Sequence, residues 1–315
     1  MKMNLSQAVD FYLKTRRQFG FAMVQVGVEL ASLVRYAKQK GHRGPLRTAL
    51  AVQWAQQPEH GQASYRALRL EIVRRFAQFW IAYEPRTEIP PAGLFGPTYG
   101  RREVHIYTRD EINQLLQAAS GLGRVHPLRA QSFQTLAGLL DCTGMRVGEA
   151  LALGERDIDW AEGLLMIRRA KHGHARLVPV QTSTLEALGR YRTLRDKTIG
   201  PGTPPRFFVN FRGVPLGYFG LHVAFTLLRQ QLGWTQAPVP RLHDLRHSFA
   251  VRTLLAWSQS GQPFGSKLWT LSTYLGHQHL ADTYWYFTAV PELMQLSQQR
   301  FATAQAWASQ GGDQE

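Results

Sequence analysis

The thirteen residues from Pro85 to Pro97 hold four prolines (85, 90, 91 and 97) and two glycines (93 and 96). Proline lacks the backbone donor and fixes φ, so neither a helix nor a central strand can cross such a stretch. The chain is therefore expected to fold as two bodies. One covers residues 1–97, with its linker at about 85–104, and the other covers 105–315. Proline stiffness makes the joint a spacer. The length of 315 residues suits two domains. No apolar run reaches the roughly 18 residues of a membrane span, so no membrane partner is expected. The opening MKMNLSQAVDFYLKTRR lacks the apolar core of a secretory signal. Cys142 is the single cysteine, which excludes a disulfide within the chain and a Cys-based zinc site. The expected location is the cytoplasm.

Residues 1–84 read as helical. Leu5, Val9, Tyr12 and Leu13 recur at helical spacing, as do Val26, Leu30, Leu33, Val34 and Ala37 before Gly41 and Gly44-Pro45. A short helix is expected over 46–57. A fourth carries Leu68, Ile72, Phe76, Phe79, Trp80 and Tyr83 on one stripe, with Ser64 as its N-cap. The chain's formal net charge is +15. Residues 1–84 hold thirteen Lys and Arg against five acids, so over half of the excess lies in about a quarter of the chain. Such a concentration attracts a polyanion, nucleic acid above all. Arg66, Arg69, Arg74 and Arg75, flanking the fourth stripe, are the candidate phosphate contacts.

Beyond the linker, Thr108 and Glu111 form a capping box ahead of Ile112, Leu115 and Leu116. Helix continues through Phe133, Leu136, Leu139 and Leu140. From Gly163 the period changes: 164–169 reads as a strand, 171–174 as a turn and 176–180 as the return strand. After that, helix is expected to about Ala308. The fold class is thus mainly α with a small antiparallel β-sheet.

Metal and nucleotide chemistry find little support. No HExxH and no paired-Asp motif occurs, and His172 and His174 suit a solvated turn. Neither GxxxxGK[ST] nor GxGxxG is present, so no cofactor is expected. Three stretches stand out instead. In Thr143-Gly-Met-Arg-Val-Gly-Glu149, Arg146 lies amid apolar residues with Glu149 one helical turn on. In Arg241-Leu-His-Asp-Leu-Arg-His247, His243 and Arg246 share a face and offer one anion an imidazole and a guanidinium. In Leu275-Gly-His277, a histidine follows a glycine at a turn, and Tyr286 lies nine residues on. Taken singly, each has a bland explanation: an internal ion pair, a core histidine, a core aromatic.

Taken together, Arg146 in TGMRVGEAL, Lys171 in a hairpin turn, HDLRHSFA, LGH and the tyrosine nine residues past His277 resemble the tyrosine recombinase (phage integrase) family. The detailed resemblance spans about 108–290. Residues 1–97 resemble the family's DNA-contacting core-binding domain in size, helicity and charge. The stretch Tyr284–Met294 is similar to the transposon-associated branch. The resemblance implies a site-specific recombinase that cleaves double-stranded DNA through a 3′-phosphotyrosine. Tyr286 would be the nucleophile, with Arg146 and Arg246 clamping the phosphate. His243 would be the proton acceptor, Lys171 the general acid, His277 a phosphate donor and Glu149 the residue that positions Arg146. No metal or other cofactor is required. Integration, excision or cointegrate resolution of a mobile element is the implied task, performed by a homo-tetramer on its recombination site, with room for an accessory DNA-binding protein. Pro291–Ala308 is amphipathic and suits exchange between subunits. Tyr284 is a rival nucleophile, although two residues apart on a helix point about 200° apart. The polar segment 256–267 is longer than the family's usual link and reads as an inserted loop. Two alternatives share part of this chemistry: a type IB topoisomerase and a catalytically inactive architectural DNA-binding factor.

Overall fold

The computed structural model describes residues 3–57, 62–98, 103–168, 175–200, 202, 206–260 and 264–288. The chain divides into two compact units, Met1–Arg102 and Glu103–Glu315. Among the described residues, no helix is long and apolar enough to cross a membrane.

The first unit contains α1 (Leu5–Gln18), α2 (Val24–Gln39), α3 (Thr48–Gln56) and α4 (Ala63–Trp80). Asn4 and Gln7 form a reciprocal capping box that starts α1. Leu30, Leu33, Trp54, Val73 and Phe76 are its buried centre. Helix α4 begins at Ala63 behind Gln62, without a side-chain cap from Ser64. Its inner face is broader than the expected stripe. Leu70, Val73 and Ala77 are buried, whereas Leu68 and Tyr83 are exposed.

Arg69 is not a surface cation. Its side chain is 5% exposed and lies 3.4 Å from Glu29, with the guanidinium 3.8 Å above the Trp54 ring. Burial on the inner face of α4 removes it from the candidate phosphate contacts. Arg66 and Arg74 are half-buried, and Arg75 is exposed beside Glu71.

The proline-rich stretch is less of a spacer than its composition suggests. Glu88 accepts from Arg47 Nη1 at 2.6 Å and from the Thr48 amide at 2.8 Å, so it caps α3 from outside the helix. The Glu88 amide donates to Leu46 O at 2.9 Å, Thr87 is buried, and Phe95 packs on the core.

The second unit opens with α5 (Arg109–Ala118), whose Thr108–Glu111 capping box is formed. A 3₁₀ turn leads to α6 (Pro127–Thr143), the unit's central helix. Gly144, at φ +61°, ends α6 and lets the chain reverse into α7 (Val147–Ala152). Next come β1 (Ile158–Asp159), β2 (Leu164–Ile167) and β3 (Arg176–Pro179), an antiparallel sheet in that order. Leu165 pairs with Val178 and Ile167 with Arg176, so the expected hairpin is present with a two-residue strand added at its edge. Lys171, His172 and His174 lie outside the described residues.

Helices α8 (Thr182–Ile199), α9 (Tyr218–Gln231), α10 (Asp244–Gln259), α11 (Phe264–Leu275) and α12 (Ala281–Thr288) complete it. The run from 181 onward is not continuously helical. Gly200 at φ +78° stops α8, and residues 206–217 form a looped segment with a Val209–Pro215 bridge. Phe207, Phe208 and Val209 are fully buried there. Nor is 256–267 a long loop: Ala256–Gln259 extend α10, and Phe264–Lys267 open α11. The amphipathic segment 291–308 lies outside the described residues.

Candidate active site

The core of the second unit has two parts. The larger gathers α6, β2, β3 and α9; the smaller joins α10, α11 and α12 through Val251, Leu254, Leu271, Leu275 and Tyr286. The motif residues converge where these parts meet.

Arg146 sits at the N-cap of α7, straight after the Gly144 turn. Its amide donates to Glu149 Oε2 at 2.9 Å, and its Nη1 donates to Glu149 Oε1 at 2.9 Å. Its Nη2 reaches Gly276 O at 2.9 Å. Glu149 is buried and also receives both terminal nitrogens of Arg176, at 3.0 and 2.8 Å. Burial pushes its carboxyl up, but the two arginines outweigh that and hold it at about 2.

Asp244, at the first turn of α10, accepts from the Arg241 amide at 2.9 Å and from its guanidinium at 2.9 Å. Its carbonyl accepts from Ser248, whose hydroxyl accepts from the Tyr107 amide. This frame fixes the start of the helix that carries His243 and Arg246. Arg246 is 2% exposed. Its Nη1 donates to Gly144 O and its Nη2 to Leu275 O, each at 2.8 Å. Burial lowers its pKa to about 10, so it remains a cation at neutral pH.

Tyr286 is buried on α12, whereas Tyr284 is 53% exposed. The half-turn between them decides which phenol enters the site. Burial raises the Tyr286 pKa, and Arg246 and Arg146 pull in the opposite direction. Its ring lies between His277, stacked at 6.0 Å, and His247, edge-on at 5.5 Å. His247 in turn meets His243 at 4.8 Å. His277 follows the Gly276 turn at the end of α11, and its Nδ1 is 2.8 Å from Thr283 Oγ1. The imidazoles are all depressed: His277 and His247 to about 3, and His243, the most exposed of the three, to about 4. In each case burial is the first cause and neighbouring positive groups the next. At neutral pH the site thus presents three neutral imidazoles, three guanidinium groups and one buried carboxylate around a protonated phenol. That excess of positive charge fits an anion with several oxygens.

The structure brings together Arg146, Glu149, His243, Arg246, His277 and Tyr286. Lys171 lies outside the described residues, and Arg66, Arg69, Arg74 and Arg75 belong to the other unit. Sequence reasoning missed Arg176 and His247. His247 carried a usable signal, since it lies one helical turn from His243. Arg176 offered only its place at the start of the return strand. Among the described residues, no group of three His, Cys, Asp or Glu could hold a metal ion.

Residues 106–292 match the model of the phage integrase family. A Sinorhizobium fredii protein assigned as an integrase/recombinase, y4rB, is 38% identical over 303 residues, covering 93% of this chain and 96% of its own. The XerC tyrosine recombinase of Actinobacillus pleuropneumoniae is 30% identical over 221 residues, 69% of this chain and 65% of its own. Among solved structures, the Tn1549 transposon integrase in complex with transposon right-end DNA aligns with TM-score 0.65 at 16% identity, over 95% of this chain and 100% of that one. A lambda integrase dimer bound to a COC′ core site aligns with TM-score 0.62 at 18% identity, over 90% and 77%. These two share the fold. The chain belongs to the phage integrase family, the tyrosine recombinases. It is accordingly an enzyme of the site-specific recombinase class.

Proposed function

We propose that the protein cleaves and rejoins DNA at a specific site through a phosphotyrosine intermediate, in the service of a mobile element. The observation that carries this reading is the buried Tyr286 phenol, set against Arg246 and Arg146 and flanked by His277 and His247.

On this reading the Tyr286 oxygen attacks a backbone phosphorus. The new bond is Oη–P, and the bond that breaks is P–O5′, leaving a 3′-phosphotyrosine and a 5′-hydroxyl. Bond number is conserved, so no external energy source is needed. Arg146 and Arg246 bind the non-bridging oxygens, and their anchorage on Glu149 and on backbone carbonyls removes the need to reorganise as charge develops. The phenol must lose its proton during attack, and the neutral His243 is the assigned acceptor. Arrival of the phosphate anion favours the imidazolium form, which raises the acceptor's basicity when it is needed. Lys171 supplies the proton to O5′. Arg66, Arg74 and Arg75 on α4 contact phosphates along the duplex. Strand exchange between two duplexes is performed by a homo-tetramer, with residues 291–308 passing to a neighbouring subunit.

The test is a nicked duplex that traps the cleaved state. Wild type and Tyr284→Phe form a covalent protein–DNA adduct. Tyr286→Phe binds the duplex but forms none. An adduct with Tyr286→Phe would refute the assignment.

A further inference from the structure

Three consecutive carbonyls at the end of α11 each accept from a different arginine. Arg176 Nε donates to Tyr274 O at 2.8 Å, Arg246 Nη2 to Leu275 O at 2.8 Å, and Arg146 Nη2 to Gly276 O at 2.9 Å. Carbonyls at a helix C-terminus have no partner within the helix and carry the negative end of its dipole. Here they form a template that sets three guanidinium groups side by side. Arg146 and Arg246 belong to the phosphate-clamping pair. Arg176 is turned elsewhere. Its Nε is held by Tyr274 O, and its two terminal nitrogens fork onto both oxygens of Glu149. Its side chain is only 12% exposed. Gly276 closes against it, since a Cβ there would lie 3.2 Å from Arg176 Nη1. Glu149 holds Arg146 through both a backbone and a side-chain bond. Arg176 also pairs with Ile167 in the last described rung of the β2–β3 pair. One side chain therefore ties β3, α7 and the end of α11 together.

We propose that Arg176 is a positioning residue for DNA cleavage: it locks Glu149, and through Glu149 the Arg146 guanidinium, onto the end of α11 without touching the phosphate itself. The proposal rests on the strand-cleavage reading above. A fork is required because Glu149 must face two cations at once. A lysine keeps the charge but cannot span both carboxylate oxygens while also reaching Tyr274 O. Without the fork, Glu149 and Arg146 gain freedom, and small displacements of a reacting geometry cost up to about 100-fold.

The experiment compares wild type, Arg176→Lys, Glu149→Gln and the double variant. It measures single-turnover adduct formation on the nicked duplex and equilibrium affinity for the same DNA. Arg176→Lys is expected to slow adduct formation by about ten- to 100-fold, with DNA affinity held within about twofold of wild type. Retained affinity shows that the variant is folded. In the Glu149→Gln background the same substitution is expected to change nothing further, because the effect passes through that carboxylate. Arg176→Ala is expected in addition to steepen the loss of rate on the acid side, because Glu149 loses the larger of its two stabilising partners. A wild-type rate for Arg176→Lys, a fall in affinity as large as the fall in rate, or rate losses that multiply in the double variant would each overturn the proposal. A wild-type protein that forms no adduct would instead overturn the strand-cleavage reading on which the proposal rests.

Discussion

Gly144 and Gly148 flank Arg146, and replacing each by alanine should move stability in opposite directions. Gly144 has φ +61°, and a Cβ placed there would lie 2.4, 2.9 and 3.1 Å from three carbons of the Phe249 ring. Phe249 cannot simply swing away, because it stacks on Tyr274 at 5.6 Å. The left-handed backbone costs an L-residue about 1–2 kcal/mol, and overpacking costs about 1–3 kcal/mol. The sum for Gly144→Ala is about 2–5 kcal/mol, or a Tm lower by about 4–20 °C for a unit of this size. The damage also reaches the site. Gly144 O accepts from Arg246 Nη1 at 2.8 Å, so displacing this peptide turns the guanidinium. Gly148 sits inside α7 with nothing within 4 Å of an added Cβ. Gly148→Ala should therefore stabilise by about 0.5–1 kcal/mol through lost unfolded-state entropy. Calorimetry of the C-terminal unit's transition, with adduct formation on the nicked duplex as a second readout, checks both. Shifts of the same sign, or a Gly144→Ala protein that melts with wild type, would refute the steric reasoning.

DNA-free protein should lose stability on acidification from about pH 6.5 to about 4. His243, His247 and His277 take up protons in the unfolded chain near pH 6.5 but only at about 4, 3 and 3 when folded, so the unfolded state gains protons first. Glu149, held at about 2, adds a loss in the same direction below about pH 4.5, and urea melts across this range would show it. Arg69→Ala should destabilise the first unit by about 2–4 kcal/mol, because buried Glu29 loses its cationic partner and keeps only the hydrogen bonds from Gln25 and Tyr65. Arg75→Ala should leave stability within about 0.5 kcal/mol and weaken DNA binding, which paired melts and binding titrations separate. Adduct formation should persist in excess EDTA, since the arginines supply the charge stabilisation; loss of activity that Mg²⁺ restores would contradict this.

The features legible in the sequence are those whose physics is local. The change of period after Gly163 marked the β2–β3 hairpin, and Thr108 with Glu111 marked the start of α5. Arg69 was misjudged although the signal was present. Helical phase puts it on the same face as Val73, Phe76 and Trp80, and on that face the stem of an arginine is core material whatever the sign of its charge. The two-residue β1 and the looped segment at 206–217, buried only at Phe207–Val209, left no periodic signature to read. What lay beyond reach is of another kind. Glu88 caps α3 from 40 residues away, and Arg146 meets Gly276 across 130. Motif spacing singled out Arg146, Arg246 and His277 as candidates one at a time, but not the helix end on which two of those guanidinium groups meet a third. The position of Arg176 follows only from tertiary packing, because strand register places it beside Glu149 and the Gly276 turn leaves it room. A site built from cations needs something to hold like charges together. Here a buried carboxylate and the carbonyl end of a helix do so, and both become visible only once the chain has folded.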